Sequence, residues 1–187
     1  DHPGEANFRM ADVIVINKCD TADEKNIGAI EDAARQLNPG AAVIRANSPV
    51  SCQRPELVKG RKALVIEDGP TLTHGSMSYG AGVVAARNVG AEVIVDPTPY
   101  AVASIAATYR KYPNAQGILP AMGYGEAQIK DLEATIEATP CDVVLSATPI
   151  DITRMLKVNK PMVRATYNLA EVRPGLIEAA IRKALQA

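Results

Sequence analysis

The residues with the most specific chemistry in this 187-residue chain are Asn17-Lys18-Cys19-Asp20. A carboxylate at Asp20 can accept two hydrogen bonds, from the N1–H and the exocyclic amino group of guanine. Adenine presents neither donor on that edge, so such a group selects against it. The Asn17 amide can bond a purine edge and brace neighbouring loops, while the Lys18 stem can lie across the ring face. The spacing is N-K-x-D, placed directly after a short apolar run and before a helical stretch. The plain alternative is a strand-end turn, where Asn, Lys and Asp are common.

A second constellation runs from Glu67 to Gly82. Two adjacent carboxylates, Glu67 and Asp68, at a strand end could hold Mg²⁺ or orient an attacking group. The hydroxyls and backbone N–H groups that follow suit phosphate oxygens, and the glycines permit close backbone approach. His74, one of two histidines, could carry a proton or donate to a phosphate. A polar loop capping the next helix explains the same residues, and Gly80-x-Gly82 is weak alone. Further segments follow other strands: Asp96-Pro97-Thr98-Pro99-Tyr100, Gly123-Tyr124-Gly125 and Ser146-Ala147-Thr148-Pro149-Ile150-Asp151. Singly, each reads as a cap and turn. Arg154, Lys157, Lys160 and Arg164 form a local basic run that could neutralise a phosphorylated substrate or be a solvated face.

These residues need a scaffold, and the pattern around them is regular. Short β-branched runs at 13–16, 42–45, 63–66, 92–95, 117–119, 143–145 and 162–165 alternate with helical stretches. Most runs are apolar throughout, as parallel strands covered on both faces are. Thr21 and Glu24 fit a capping box ahead of a helix that Asn38-Pro39-Gly40 stops. Helices are also expected at 80–88, 101–112, 126–138, 152–157 and after Pro174. The irregular stretch 47–62 reads as a loop, or as a linker between lobes. Repeated β-α units predict an α/β fold with a doubly wound, mostly parallel sheet and helices on both faces. This is a P-loop NTPase-like or Rossmann-like three-layer sandwich, laid out as a single domain over 1–187. Ligands of such sheets gather at the carboxyl ends of the strands, which is where the polar segments fall.

Composition narrows the class. The chain is 47% hydrophobic with a net charge of −1, so nothing global draws it to nucleic acid or anionic membranes. No apolar run reaches the roughly 20 residues of a membrane span, and the three cysteines form no C-x-x-C pair. The cytoplasm is the default expectation. No G-x-x-x-x-G-K-[ST] phosphate loop occurs. Together with the missing initiator Met, this leads us to expect the C-terminal portion of a longer nucleotide-binding protein. Asp1-His2-Pro3-Gly4 matches D-x-x-G too close to Asn17 to be a switch box.

The segments "GEANFRMADVIVINKCD", "EDGPTLTHGSMSYGAG", "DPTPYA" and "SATPIDI", taken in order, resemble the cyclic 2,3-diphosphoglycerate synthetase family and its predicted P-loop GTPase relatives. The resemblance covers essentially the whole chain, but only the C-terminal portion of the longer family protein. It implies an ATP-driven ligase that closes a diphosphorylated acid into a cyclic phosphoanhydride. Positioning and charge neutralisation would carry such a reaction. On this chain it implies magnesium or phosphoryl-transfer duties for Glu67 and Asp68, with Asp68 as metal ligand. It implies phosphate contacts for Thr71, Thr73, His74 and Ser76, and Arg154 is a further substrate-contact candidate. Expected cofactors are ATP or GTP with Mg²⁺. Expected partners are the nucleotide and a phosphorylated small molecule, without nucleic acid or membrane. The oligomeric state, including a homo-oligomer, stays open. Competing readings are a GTPase switch or metallochaperone-like protein, and a non-catalytic nucleotide-binding fragment. The chain alone is expected to turn over little nucleotide.

Overall fold

A computed structural model describes residues 4–74 and 79–186, without the side chains of Thr71 and His74. The chain forms two compact units, one from residues 1–49 and 167–187 and the other from Val50–Thr166. Each has its own sheet.

In the first unit, α1 (Glu5–Met10) leads into β1 (Val13–Ile16), α2 (Glu24–Leu37) and β2 (Ala42–Asn47). After the second unit come β9 (Ala170–Glu171) and α7 (Leu176–Ala184). β1 and β2 pair in parallel from Val13↔Ala42 to Ile16↔Arg45, and β9 adds antiparallel to β2. Ile14, Ile16, Ile27, Ala34, Ile44 and Ala46 form its buried core. Helix α2 starts two residues later than a Thr21–Glu24 box would place it. Asp23 is the cap, its Oδ1 accepting from the Lys25 N–H at 2.7 Å. Thr21 is instead engaged in the preceding turn, its hydroxyl donating to Lys18 O at 3.3 Å. Pro174 likewise falls outside α7, which is capped by Glu171. That carboxylate accepts from the Gly175 N–H at 2.6 Å and from the Ile177 N–H.

The second unit contains β3 (Val50–Cys52), β4 (Lys62–Asp68), α3 (Gly69–His74), α4 (Ala81–Asn88), β5 (Val93–Ile94) and α5 (Ala103–Lys111). It continues with β6 (Leu119–Ala121), α6 (Glu126–Ala138), β7 (Val143–Ser146) and β8 (Met162–Tyr167), whose last residue belongs to the first unit. The sheet order is β3-β8-β7-β4-β5, with β6 also on β4. β5 and β6 pair with the two ends of β4, and β5, β6 and β7 all run parallel to it. β8 is parallel to β7. The outer strand β3 runs the other way, since Gln53 and Ser51 bond Arg164 and Thr166 in descending order.

Strand β4 explains why its sequence is apolar throughout. Leu64 and Ile66 enter one core cluster with residues of α5 and α6, while Ala63 and Val65 enter another with α4. Adjacent strand residues point to opposite faces, so a strand covered on both faces needs no polar alternation.

The α/β class, the mostly parallel pairing and the helix-covered sheet agree with the sequence pattern. The strands, however, divide between two sheets with some antiparallel pairing. The stretch 47–62 holds β3 and a 3₁₀ turn (Pro55–Leu57), so it is more structured than a loop. The helix expected over 152–157 is only a 3₁₀ turn, Ile152–Arg154. Among the described residues, no helix is long and apolar enough to cross a membrane.

Candidate functional site

The carboxyl edge of the second unit's sheet holds Glu67, Asp68 and Arg154 of the predicted residues. Because β4, β5, β6 and β7 are parallel, Glu67-Asp68 and the segments beginning at Asp96, Gly123 and Ala147 all leave at one edge.

Glu67 continues the face of Ala63 and Val65 and is buried, with 2% of its surface exposed. Its Oε1 accepts from the Gly80 N–H at 3.1 Å and the Val83 N–H at 3.0 Å. The carboxylate therefore occupies the N-terminus of α4, where backbone donors lack helical partners. The glycines follow from this closeness. A Cβ on Gly80 would lie 2.5 Å from Glu67 Oε2, and one on Gly82 would lie 2.7 Å from Val65 Cγ1. The Gly80 N–H, one of those expected to suit phosphate, is thus already engaged by Glu67. Burial pushes the Glu67 carboxyl up to about 7, against the lowering effect of the Val83, Gly82 and Gly80 N–H groups and with a smaller push from Asp68.

Asp68 points to the opposite face, the side of Leu64 and Ile66, and is paired in register with Ala121. It is half-buried, and that burial raises its carboxyl above the usual range. Tyr124 stands near enough for Asp68 to add to the upward push that burial exerts on the phenol. Because Glu67 and Asp68 point to opposite faces, they cannot chelate one ion together. Among the described residues, no three His, Cys, Asp or Glu side chains converge as a ligand set. Asp68 alone offers one carboxylate. That suits Mg²⁺ only where other oxygens complete the octahedron.

Beyond β7, Ser146 and Thr148 are buried, with their hydroxyls 3.1 Å apart, and Thr148 donates to Ile150 O at 2.7 Å. Both hydroxyl hydrogens can be absorbed in this relay, which shapes the turn. Asp151 caps the following 3₁₀ turn, accepting from Thr153 Oγ1 at 2.6 Å and from the Thr153 N–H at 3.3 Å. Its other oxygen lies 3.3 Å from Arg154 Nε and 3.7 Å from Arg164 Nη1. The Thr153 hydrogen bond, followed by the Arg164 and Arg154 charges, holds the Asp151 carboxyl below the usual range.

The basic run does not act as one patch. Lys160 Nζ donates to Ile136 O at 2.9 Å and to Thr139 O, closing the carbonyl end of α6. Arg154 and Arg164 remain at the sheet edge. Arg164 was visible only as a member of the run, yet a guanidinium inside the apolar strand β8 is the stronger signal.

The remaining candidates fall elsewhere. Thr71 and Thr73 lie on α3, a helix where a loop was expected, and Thr73 Oγ1 donates back to Gly69 O at 3.0 Å. The Thr71 and His74 side chains and the whole of Ser76 lie outside the described residues. Asn17, Lys18 and Asp20 belong to the first unit, exposed in the turn after β1. Lys18 takes a left-handed φ of 61°, and its N–H donates to Asn17 Oδ1 at 2.8 Å. Asp20 Oδ1 accepts from the Ser48 N–H at 3.1 Å, tying this turn to the end of β2. The turn is thus internally braced, with the Lys18 and Asp20 side chains outward.

No family model matches the chain. It is similar to arginine synthetase ArcE of Thermococcus kodakarensis, with 56% identity over 171 residues, covering 91% of this chain and 38% of that protein. The chain therefore spans well under half the length of this relative. The similarity corrects the expectation drawn from the sequence segments. A chain this similar to a protein named arginine synthetase is not assigned to the cyclic 2,3-diphosphoglycerate synthetases, nor to P-loop GTPases or their switch-like relatives. The general ligase class fits the relative's name, whereas the cyclising reaction on a phosphorylated acid does not.

Proposed function

We propose that this chain is part of a synthetase that forms arginine, with the carboxyl edge of the second unit's sheet on its substrate side. The observation that carries the reading is the 56% identity to arginine synthetase ArcE along 91% of the chain. The edge suits such a product. Asp68 offers a half-buried carboxylate to a guanidinium or to the amine that completes it, and charge-assisted pairs of this kind are strong when partly desolvated. Glu67, buried on the opposite face of the same strand, contributes by seating α4 at this edge.

Building a guanidinium from a ureido group replaces a carbonyl oxygen by nitrogen. That oxygen leaves readily only after activation, the chemistry a nucleoside triphosphate with Mg²⁺ supplies when bound. ATP or GTP is accordingly the proposed cofactor, and the exposed turn of Asn17, Lys18 and Asp20 is the proposed base contact.

The test is nucleotide-dependent arginine formation by the full-length protein from a ureido amino acid and ammonium, followed by mass spectrometry with ATP and GTP in parallel. Asp68→Asn is expected to lower turnover about 10- to 100-fold by removing the charge partner. Absence of nucleotide-dependent arginine in the unmodified protein overturns the reading. An unchanged ATP-to-GTP ratio in Asp20→Ala removes that turn from the base site.

A further inference from the structure

Among the described residues, Arg164 carries a buried side-chain N–H that no hydrogen bond satisfies. It interrupts the apolar run of β8 and is paired in register with Ser146, on the face that carries Val144 and Ile66. Its side chain is 23% exposed, yet every contact it makes is long. Nη2 reaches Pro149 O at 3.5 Å, and Nη1 lies 3.7 Å from Asp151 Oδ2. Nε is buried and has no hydrogen-bond partner among the described residues. A buried guanidinium N–H without an acceptor is unfavourable, and natural proteins rarely leave one. The Ser146 and Thr148 hydroxyls, which bond each other and Ile150 O, do not accept from it.

The position of Arg164 relative to Asp68 gives the missing acceptor a context. Both project from the same face of one sheet near its carboxyl edge, with β7 between their strands. Through Ser146, Arg164 is level with Ile66, so two strand spacings across and two residues along put the two backbones roughly 12 Å apart. The edge therefore offers a donor fork at one end and a carboxylate at the other. Arginine is complementary to this pair, with its α-carboxylate and guanidinium roughly 7 Å apart when extended, from bond lengths. Charge also discriminates among anions. Arg154 and Arg164 share the single carboxylate of Asp151, which leaves about one net positive charge. One such charge matches a carboxylate better than the several charges of a triphosphate.

We propose that Arg164 is a specificity residue, its guanidinium fork binding the α-carboxylate of an amino-acid ligand whose cationic end lies toward Asp68. This rests on the arginine-forming reading above. A planar fork with an unpartnered Nε and loosely held Nη groups can donate to both carboxylate oxygens. Ligand binding then supplies the acceptor that the folded chain lacks.

Calorimetric titration of the full-length protein with arginine and with agmatine, which is arginine without its α-carboxylate, tests the assignment. The unmodified protein is expected to bind arginine about 10- to 100-fold more tightly than agmatine. Arg164→Gln is expected to erase that difference while leaving agmatine affinity within about twofold, so agmatine binding also reports that the variant is folded. Arg164→Lys, which keeps the charge but loses the fork, should retain part of the discrimination. Equal binding of the two ligands by the unmodified protein overturns this inference alone, as does a variant that weakens only nucleotide binding. Failure to bind either ligand, together with no arginine formation, overturns the proposed function as well.

Discussion

At Glu67 two opposing effects meet in one carboxyl group. Backbone donors at the start of α4 favour the anion, whereas removal from water disfavours it. Removal from water wins, and the folded-state value is about 7 against an ordinary 4.5. Between those values the native protein holds a proton that the unfolded chain has released. Stability must therefore fall as the pH rises from about 4.5 to 7, with the full penalty present above that range. The linkage amounts to about 3–4 kcal/mol. Glu67→Gln carries no charge at any pH and should flatten this slope, gaining on the parent protein as the pH rises. Thermal melts from pH 5 to 8 read the difference, and parallel curves for the two proteins would remove Glu67 from the account. The residues themselves were easy to pick out in the sequence, since Glu67 and Asp68 end a buried run. Their division between two faces follows from strand geometry, but which face each meets depends on what packs there.

The same carboxylate governs a helix. α4 and α7 each begin at a glycine and take their capping acceptor from a glutamate outside the helix, Glu67 and Glu171. A local capping pattern cannot reveal the first of these, because thirteen residues separate Glu67 from Gly80. Tight seating of α4 makes a sharp prediction. Gly82→Ala forces a methyl against Val65 and Ala147 and should destabilise by about 1–3 kcal/mol. Gly28→Ala, in α2 with open space at its Cβ, should stabilise by about 0.5–1 kcal/mol. Chemical denaturation of both variants checks the pair, and a similar sign for both would contradict the packing argument. Elements with a clear pattern of their own were legible, long or short: α6 matches its periodic stretch at both ends, and the four-residue β1 matches its apolar run. Others were not. α1, α3, β3 and β9 have six residues or fewer and owe their form to neighbours rather than to their own pattern.

At the scale of the molecule, the core of Val50–Thr166 is built from its own residues. Both of its clusters draw on β4 and β7, with α4 in one and α5 and α6 in the other. This segment, expressed alone, should melt in one cooperative transition with native-like circular dichroism, and a non-cooperative melt would show that it needs the rest of the chain. The sequence by itself determined the alternation of strands and helices, the α/β class and the polar segments at strand ends, because those depend on local periodicity and turn chemistry. It could not determine that the strands divide between two sheets, or that Lys160 closes a helix while Arg164 is left with long contacts. Nor could it show that Gly80 and Gly82 pack closely against a buried carboxylate. Those outcomes rest on pairings between residues far apart in the chain, where one register decides which side chains share a face and which donors find an acceptor.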